Sequence, residues 1–219
     1  MKKFAFLLSV FISVFTLKVF SQEPFADDIR AFKIEDSLHK PPQHAILFVG
    51  SSSFTKWTDV QSYFPGYTII NRGFGGSSLP DVIRYTDDII FPYHPKEIVI
   101  YCGENDFAGD STLSAETVFE RFKTLYGMIR KKLPAIPVVY ISIKPSPSRK
   151  QYWTKMIAAN KMIKDYVSKQ SHTSFVDVFN LMLNDRNQPK PEIFLSDSLH
   201  MNANGYKIWQ KAIKPYLIK

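Results

Sequence analysis

Short apolar runs separated by amphipathic stretches recur along this chain, and that rhythm leaves few folds open. The run Ala45–Val49 (AILFV) is apolar without alternation, as in a parallel strand covered on both faces. Further strands are predicted at 67–70, 97–101 (EIVIY), 137–143 and 174–178. Between them, apolar residues three to four apart predict helices at 25–40, 59–64, 79–90, 114–132 and 151–168, and a last helix at 202–217. Strands alternating with helices of this length build βαβ units with right-handed crossovers. The expected fold is therefore α/β: a flavodoxin-like, three-layer αβα sandwich around a five-stranded parallel sheet of order 2-1-3-4-5.

The first residues do not join that pattern. Lys2 and Lys3 precede an apolar run from Phe4 to Leu17, and Val19-Phe20-Ser21 offers small residues where a signal peptidase reads. A signal peptide at 1–21, cut before Gln22, leaves 22–219 as one domain and sends the protein to the periplasm or outside the cell. A membrane anchor is the competing reading, but Lys18 interrupts the run short of the roughly 20 residues a span needs. The only cysteine, Cys102, leaves no internal disulfide to form, and no cysteine near the cleavage site offers a lipid anchor.

Removing Lys2, Lys3 and Lys18 leaves 25 basic against 20 acidic residues, so the formal charge of +8 becomes +5. The lysines are scattered rather than interleaved with aromatics, which reads as a solvated face and not as a nucleic-acid footprint.

In an open α/β sheet, ligands sit outside the carboxyl ends of the strands. Four unusual stretches fall at that edge: Gly50-Ser51-Ser52-Ser53, Asn71 to Gly76, Gly103-Glu104-Asn105-Asp106 and Asp197-Ser198-Leu199-His200. Together they supply a hydroxyl nucleophile, unobstructed glycine amides, a carboxamide donor and an acid–base pair. Acyl transfer needs those parts. Asp197 and His200, three apart in a turn entering a helix, are presented by one short segment.

These blocks resemble those of the SGNH, or GDSL, hydrolase family. Phe48-Val49-Gly50-Ser51-Ser52, Asn71-x-Gly73-x-x-Gly76, Gly103-x-Asn105-Asp106 and Asp197-x-x-His200 stand in the family's order across nearly the whole mature chain. The resemblance implies the flavodoxin-like sheet and an esterase or lipase activity without cofactor. Block by block it also implies Ser52 as nucleophile, His200 as base and Asp197 as its orienter. The oxyanion donors would be the amides of Ser52 and Gly76 and the Asn105 side chain. Ser51 departs from the family motif, which has aspartate there.

Other readings compete with these. The α/β-hydrolase elbow needs glycine where Phe54 stands. Dinucleotide binding fails at Ser78, where the fingerprint has its third glycine. Cys102 is either a thiol nucleophile or a small buried residue at a strand end. His39, His44, His94 and His172 lack metal-ligand spacing, so no metal is expected. Lys144, Tyr152 and Trp153 either line the acceptor side of a substrate or, for the two aromatics, pack in a helix.

The sequence thus points to an exported serine esterase acting on a small-molecule or carbohydrate ester, with acetyl the expected acyl group. A lysophospholipase or thioesterase of the same family, and a catalytically silent carbohydrate-binding protein on the same fold, remain the alternatives. No nucleic-acid partner and no membrane span after signal cleavage are expected, and the oligomeric state is left open.

Overall fold

A computed structural model describes residues 23–219; the predicted signal peptide lies outside them. Five strands form one sheet: β1 (Ile46–Gly50), β2 (Ile69–Gly73), β3 (Glu97–Tyr101), β4 (Val138–Ile141) and β5 (Thr173–Val176). All pairings are parallel and the order is β2-β1-β3-β4-β5, as the sequence predicts.

The unalternated run of β1 is buried on both faces, and its side chains divide between two cores. Leu47 and Val49 join Ile98, Ile100, Val138 and Tyr140 under α1 (Ala26–Leu38), α4 (Leu79–Arg84), α5 (Thr86–Ile89), α7 (Ala115–Lys132) and α8 (Trp153–Val167). Ile46 and Phe48 join Val99, Tyr101, Val139 and Ile141 under α2 (Ser52–Thr55), α3 (Val60–Tyr63) and α9 (Ala203–Ile213). The second core is largely aromatic: Trp57 stacks on Tyr206 at 4.7 Å, and Trp209 meets Tyr101 edge-on at the same centroid distance.

Several boundaries differ from the sequence expectation, each for a physical reason. Strand β2 runs on through Asn71, Arg72 and Gly73, read above as loop, because their polar groups find partners inside the fold. Asn71 Nδ2 donates to Phe54 O at 2.7 Å, and Arg72 Nε donates to the Tyr93 hydroxyl at 2.7 Å while its guanidinium pairs with Asp36. The single helix expected at 79–90 is two. Tyr85 leaves helical geometry (φ −102°, ψ 14°), and its hydroxyl donates to Pro24 O. The last helix stops at Ile213 and tightens into a 3₁₀ turn at Lys214–Tyr216, where Pro215 has no amide to continue it. Two short helices were not foreseen: α2 (Ser52–Thr55) begins directly after Ser51, and α6 (Glu104–Gly109) directly after Gly103.

Glu97, at the start of β3, is fully buried; its Oε2 accepts from Ile218 N at 3.1 Å, and its Oε1 has no partner. Burial is the largest influence on its carboxyl and outweighs the Ile218 bond and nearby Lys96, pushing it up to about 7. A carboxyl raised by folding contributes stability below its unfolded value near 4.5, and that contribution is lost as pH rises through about 7. Glu97→Gln should therefore raise the melting temperature at pH 8 and matter little at pH 5, by roughly 2–4 °C for each kcal/mol recovered. Melting curves of both proteins at the two pH values test this; equal shifts at both would remove Glu97 as the titrating group.

Candidate active site

The turn after β1 is possible only because residue 50 is glycine. Gly50 has φ +141°, and a Cβ there would lie 1.8 Å from Tyr101 O on β3. The chain then enters α2 with Ser51 as its N-cap and Ser52 as its first residue. Ser51 and Ser53 are buried, whereas Ser52 is partly exposed at the sheet edge. The Ser51 hydroxyl makes no hydrogen bond in the turn; its backbone does, the amide donating to Tyr101 O and the carbonyl accepting from Phe54 N and Thr55 N. Behind α2, Gly73 leaves room for Phe54, whose Cβ would stand 2.5 Å from any Cβ at position 73.

A closed circuit of hydrogen bonds brings the four blocks together. Gly50 O accepts from Phe74 N at 2.9 Å and from the Ser77 hydroxyl at 3.2 Å. Ser77 O in turn accepts from Asn105 Nδ2 at 3.0 Å. Glu104, next to Asn105, accepts from the Tyr101 and Ser146 hydroxyls and is ion-paired with Lys144. Ser148 N, four residues beyond Lys144, donates to Ser198 O at 3.0 Å inside the Asp197–His200 turn. Tyr206, on the helix that follows, closes the circuit by donating to Ser53 O at 2.9 Å.

Within the turn, Asp197 Oδ1 accepts from the amides of Leu199 and His200, both at 2.9 Å, and this leaves Oδ2 for His200 Nδ1 at 2.6 Å. Burial is the largest single influence on the Asp197 carboxyl and pushes it up. The bonds from the His200 ring and the two amides, with the charge of His200, together outweigh burial and hold it at about 2. Asp197 therefore stays ionised through the mildly acidic range. His200 Nε2, the other ring nitrogen, is buried and has no hydrogen-bond partner. No hydrogen bond joins it to Ser52, an interaction that in ligand-free enzymes often forms only once substrate is in place.

Two backbone amides at this edge are also unspent. Neither Ser52 N, at the first turn of α2 where helical amides have no acceptor, nor Gly76 N donates to a protein acceptor among the described residues. Gly76 has φ +88°, a conformation glycine adopts without strain. Asn105 Nδ2 spends one of its two hydrogens on Ser77 O.

The other candidates fall differently. Lys144 does not face a substrate: its side chain is 1% exposed and its ammonium is committed to Glu104, so the acceptor-side expectation is corrected to a place inside the wall of the site. Trp153 Nε1 donates to Ser146 O and its ring meets Phe179 edge-on, while Tyr152 packs partly buried against the first core; both brace the 144–152 segment. Cys102 is buried, which raises its thiol well above the ordinary range, and that disfavours the thiolate a nucleophile requires. Asp106 binds Leu79 N and Arg121, fixing α6 between α4 and α7. Sequence reasoning missed Ser77, which carries no motif signal beyond following Gly76, and the Glu104–Lys144 pair.

The sequence matches the family model of the GDSL-like Lipase/Acylhydrolase family over residues 44–208. No curated protein matches it. Among solved structures, a GDSL-like lipase from Bacteroides thetaiotaomicron is similar at 20% identity and TM-score 0.73, over 85% of this chain and 95% of that one. A Streptococcus pneumonia protein provisionally described as a platelet activating factor is similar at 22% identity and TM-score 0.75, over 88% and 92%. An acetylxylan esterase from Geobacillus stearothermophilus is similar at 14% identity and TM-score 0.63, over 82% and 96%. At these identities the likeness is one of fold.

Proposed function

We propose that this chain, which belongs to the GDSL-like Lipase/Acylhydrolase family, is a serine esterase that removes an acetyl group from a carbohydrate. The observation that carries the reading is the Asp197–His200 pair at 2.6 Å, with the far nitrogen of the ring buried and unpartnered. A histidine so held keeps its proton on Nδ1 and offers Nε2 as a base.

Chemistry follows from those positions. The Ser52 hydroxyl attacks the ester carbonyl while His200 Nε2 takes its proton, and Asp197 stabilises the imidazolium that forms. The negative oxygen of the tetrahedral intermediate is met by Ser52 N, Gly76 N and the remaining Asn105 Nδ2 hydrogen. Collapse breaks the bond to the alcohol, which leaves with the proton from His200, and Ser52 is left acylated. Water then repeats the sequence: His200 takes a proton from it, the hydroxyl adds to the acyl carbon, and the serine leaves with that proton as the carboxylic acid departs.

Acetyl is favoured because the connections that carry the nucleophile and the proposed oxyanion donors are short. One residue separates β1 from α2, five separate β2 from α4, and two separate β3 from α6, so none of these loops holds a segment able to cover a long chain. The acetylxylan esterase among the structural neighbours is in keeping with this choice. p-Nitrophenyl acetate should be turned over faster than the octanoate, read as nitrophenolate release. Faster octanoate turnover moves the substrate to a lipid, and no turnover of any ester leaves a binding protein. Export belongs to the same proposal: the protein recovered outside the cytoplasm should begin at Gln22, and one retaining Met1 would refute the cleavage.

A further inference from the structure

Arg149 stands out among the buried or partly buried arginines. Arg72 bonds Asp36 and Tyr93, Arg121 bonds Asp106, and Arg130 bonds the carbonyls of Ile136 and His172. Arg149 Nε is buried and has no hydrogen-bond partner, and its guanidinium has no carboxylate among the described residues. A buried donor left unpaired costs free energy and calls for an acceptor that arrives from elsewhere.

Its place in the fold says where that acceptor would come from. Arg149 lies in the 3₁₀ segment Pro147–Tyr152: Arg149 N donates to Ser146 O in a local turn, and Ser148 N, the residue before it, donates to Ser198 O in the histidine turn. Arg149 and Asp197 both act on the Lys144 ammonium, Arg149 lowering its hold on a proton and Asp197 raising it, after the larger influences of burial and Glu104. Of the carboxylates close by, Glu104 is committed to Lys144 and Asp197 to His200, so neither neutralises Arg149. Two residues with buried, unpartnered nitrogens, Arg149 (Nε) and His200 (Nε2), thus belong to two segments that the Ser148–Ser198 bond joins.

We infer that Arg149 is a specificity residue that binds an anionic group, a carboxylate, sulfate or phosphate, on the alcohol half of the ester. His200 must hand its proton to the leaving alcohol, so a cation anchored to the histidine turn meets the alcohol and not the acyl group. The planar guanidinium fork matches an oxyanion in two parallel bonds, which a neutral sugar hydroxyl does not. The substrate class becomes an acetyl ester of an acidic sugar or a similarly charged alcohol. This deepens the esterase reading and rests on it.

The test compares three acetate esters that differ at one group: 4-acetoxybenzoate, 4-acetoxybenzenesulfonate and the neutral 4-acetoxybenzamide. In the native protein kcat/KM for at least one anionic ester should exceed that for the amide by about 10- to 100-fold, the range of one charge-assisted contact. Which anion leads identifies the group. Arg149→Gln should bring the ratio of anionic to neutral kcat/KM close to 1, and Arg149→Lys should restore part of it. An equal loss on all three esters would mean a structural role and overturn the inference, as would a native ratio near 1. If Arg149→Gln does not fold, the native preference itself should shrink as salt rises, and a preference indifferent to salt overturns the inference. Turnover of none of the esters would overturn the esterase reading and this one with it; equal turnover of all three removes the anion subsite alone.

Discussion

Ser52→Ala should lower kcat by a factor approaching about 10⁶, the loss seen when the nucleophile of a triad is removed and only binding and oxyanion stabilisation remain. Ser51→Ala and Ser53→Ala should each keep most of the activity. Three serines in a row differ here in burial and in what their backbones do. Ser51 is 3% exposed and Ser53 1%, so neither presents its hydroxyl to a ligand, whereas Ser52 opens α2 at the sheet edge. Ser51 serves through its amide and carbonyl, which alanine retains, and the Ser53 hydroxyl has no hydrogen-bond partner to lose. The melting temperature of Ser52→Ala should stay near that of the parent, because its hydroxyl bonds to nothing in the fold. A fluorophosphonate adduct located by mass spectrometry reads the assignment directly. Modification of Ser51 or Ser53 in place of Ser52 would falsify it.

What the sequence displayed plainly was local. The apolar run before Gly50 announces a strand covered on both faces, and Asp197 and His200 sit close enough in the chain for one turn to present both. The family blocks are legible for the same reason: each is a few consecutive residues. What was not legible depends on residues far apart in sequence. Asn71-Arg72-Gly73 looks like a loop because it is polar and ends in glycine, yet it completes β2, since Arg72 finds Asp36 across 36 positions and Asn71 finds Phe54 across 17. Lys144 looks like a surface cation aimed at substrate. Its partner Glu104 lies 40 positions away, and only the pairing of β3 with β4 brings the two segments together.

That buried pair also bears on the site. Burying two charges is repaid only when the geometry and the remaining hydrogen bonds are good, and removing one partner strands the other. Glu104 is supplied with the Lys144 ammonium and the hydroxyls of Tyr101 and Ser146, so its carboxylate is well satisfied. The bonds made by the 146–148 segment then join the start of α6, which carries Asn105, to the turn that carries His200. The separation of the proposed oxyanion donor from the proposed base is thus set by an interior contact and not by the flexibility of surface loops.

Asn105→Ala should lower kcat by about 10²- to 10³-fold with KM little changed, because a donor aimed at charge that develops during reaction acts in the transition state and barely before it. Each hydrogen of the Asn105 amide has its own task. One is held by Ser77 O at 3.0 Å, which fixes the plane of the carboxamide, and the other has no acceptor among the described residues, as the proposed oxyanion role requires. Alanine removes both, yet the fold loses only one hydrogen bond of about 0.5–1.5 kcal/mol, since Glu104 and Asp106 on either side keep α6 in place. The separation of a large kinetic effect from a small thermal one is the expected signature, read from steady-state kinetics beside a melting curve. A variant whose KM rises while kcat holds would make Asn105 a ground-state binding residue. A variant that melts much earlier would place its main role in holding Ser77, and through Ser77 the turn at Gly50.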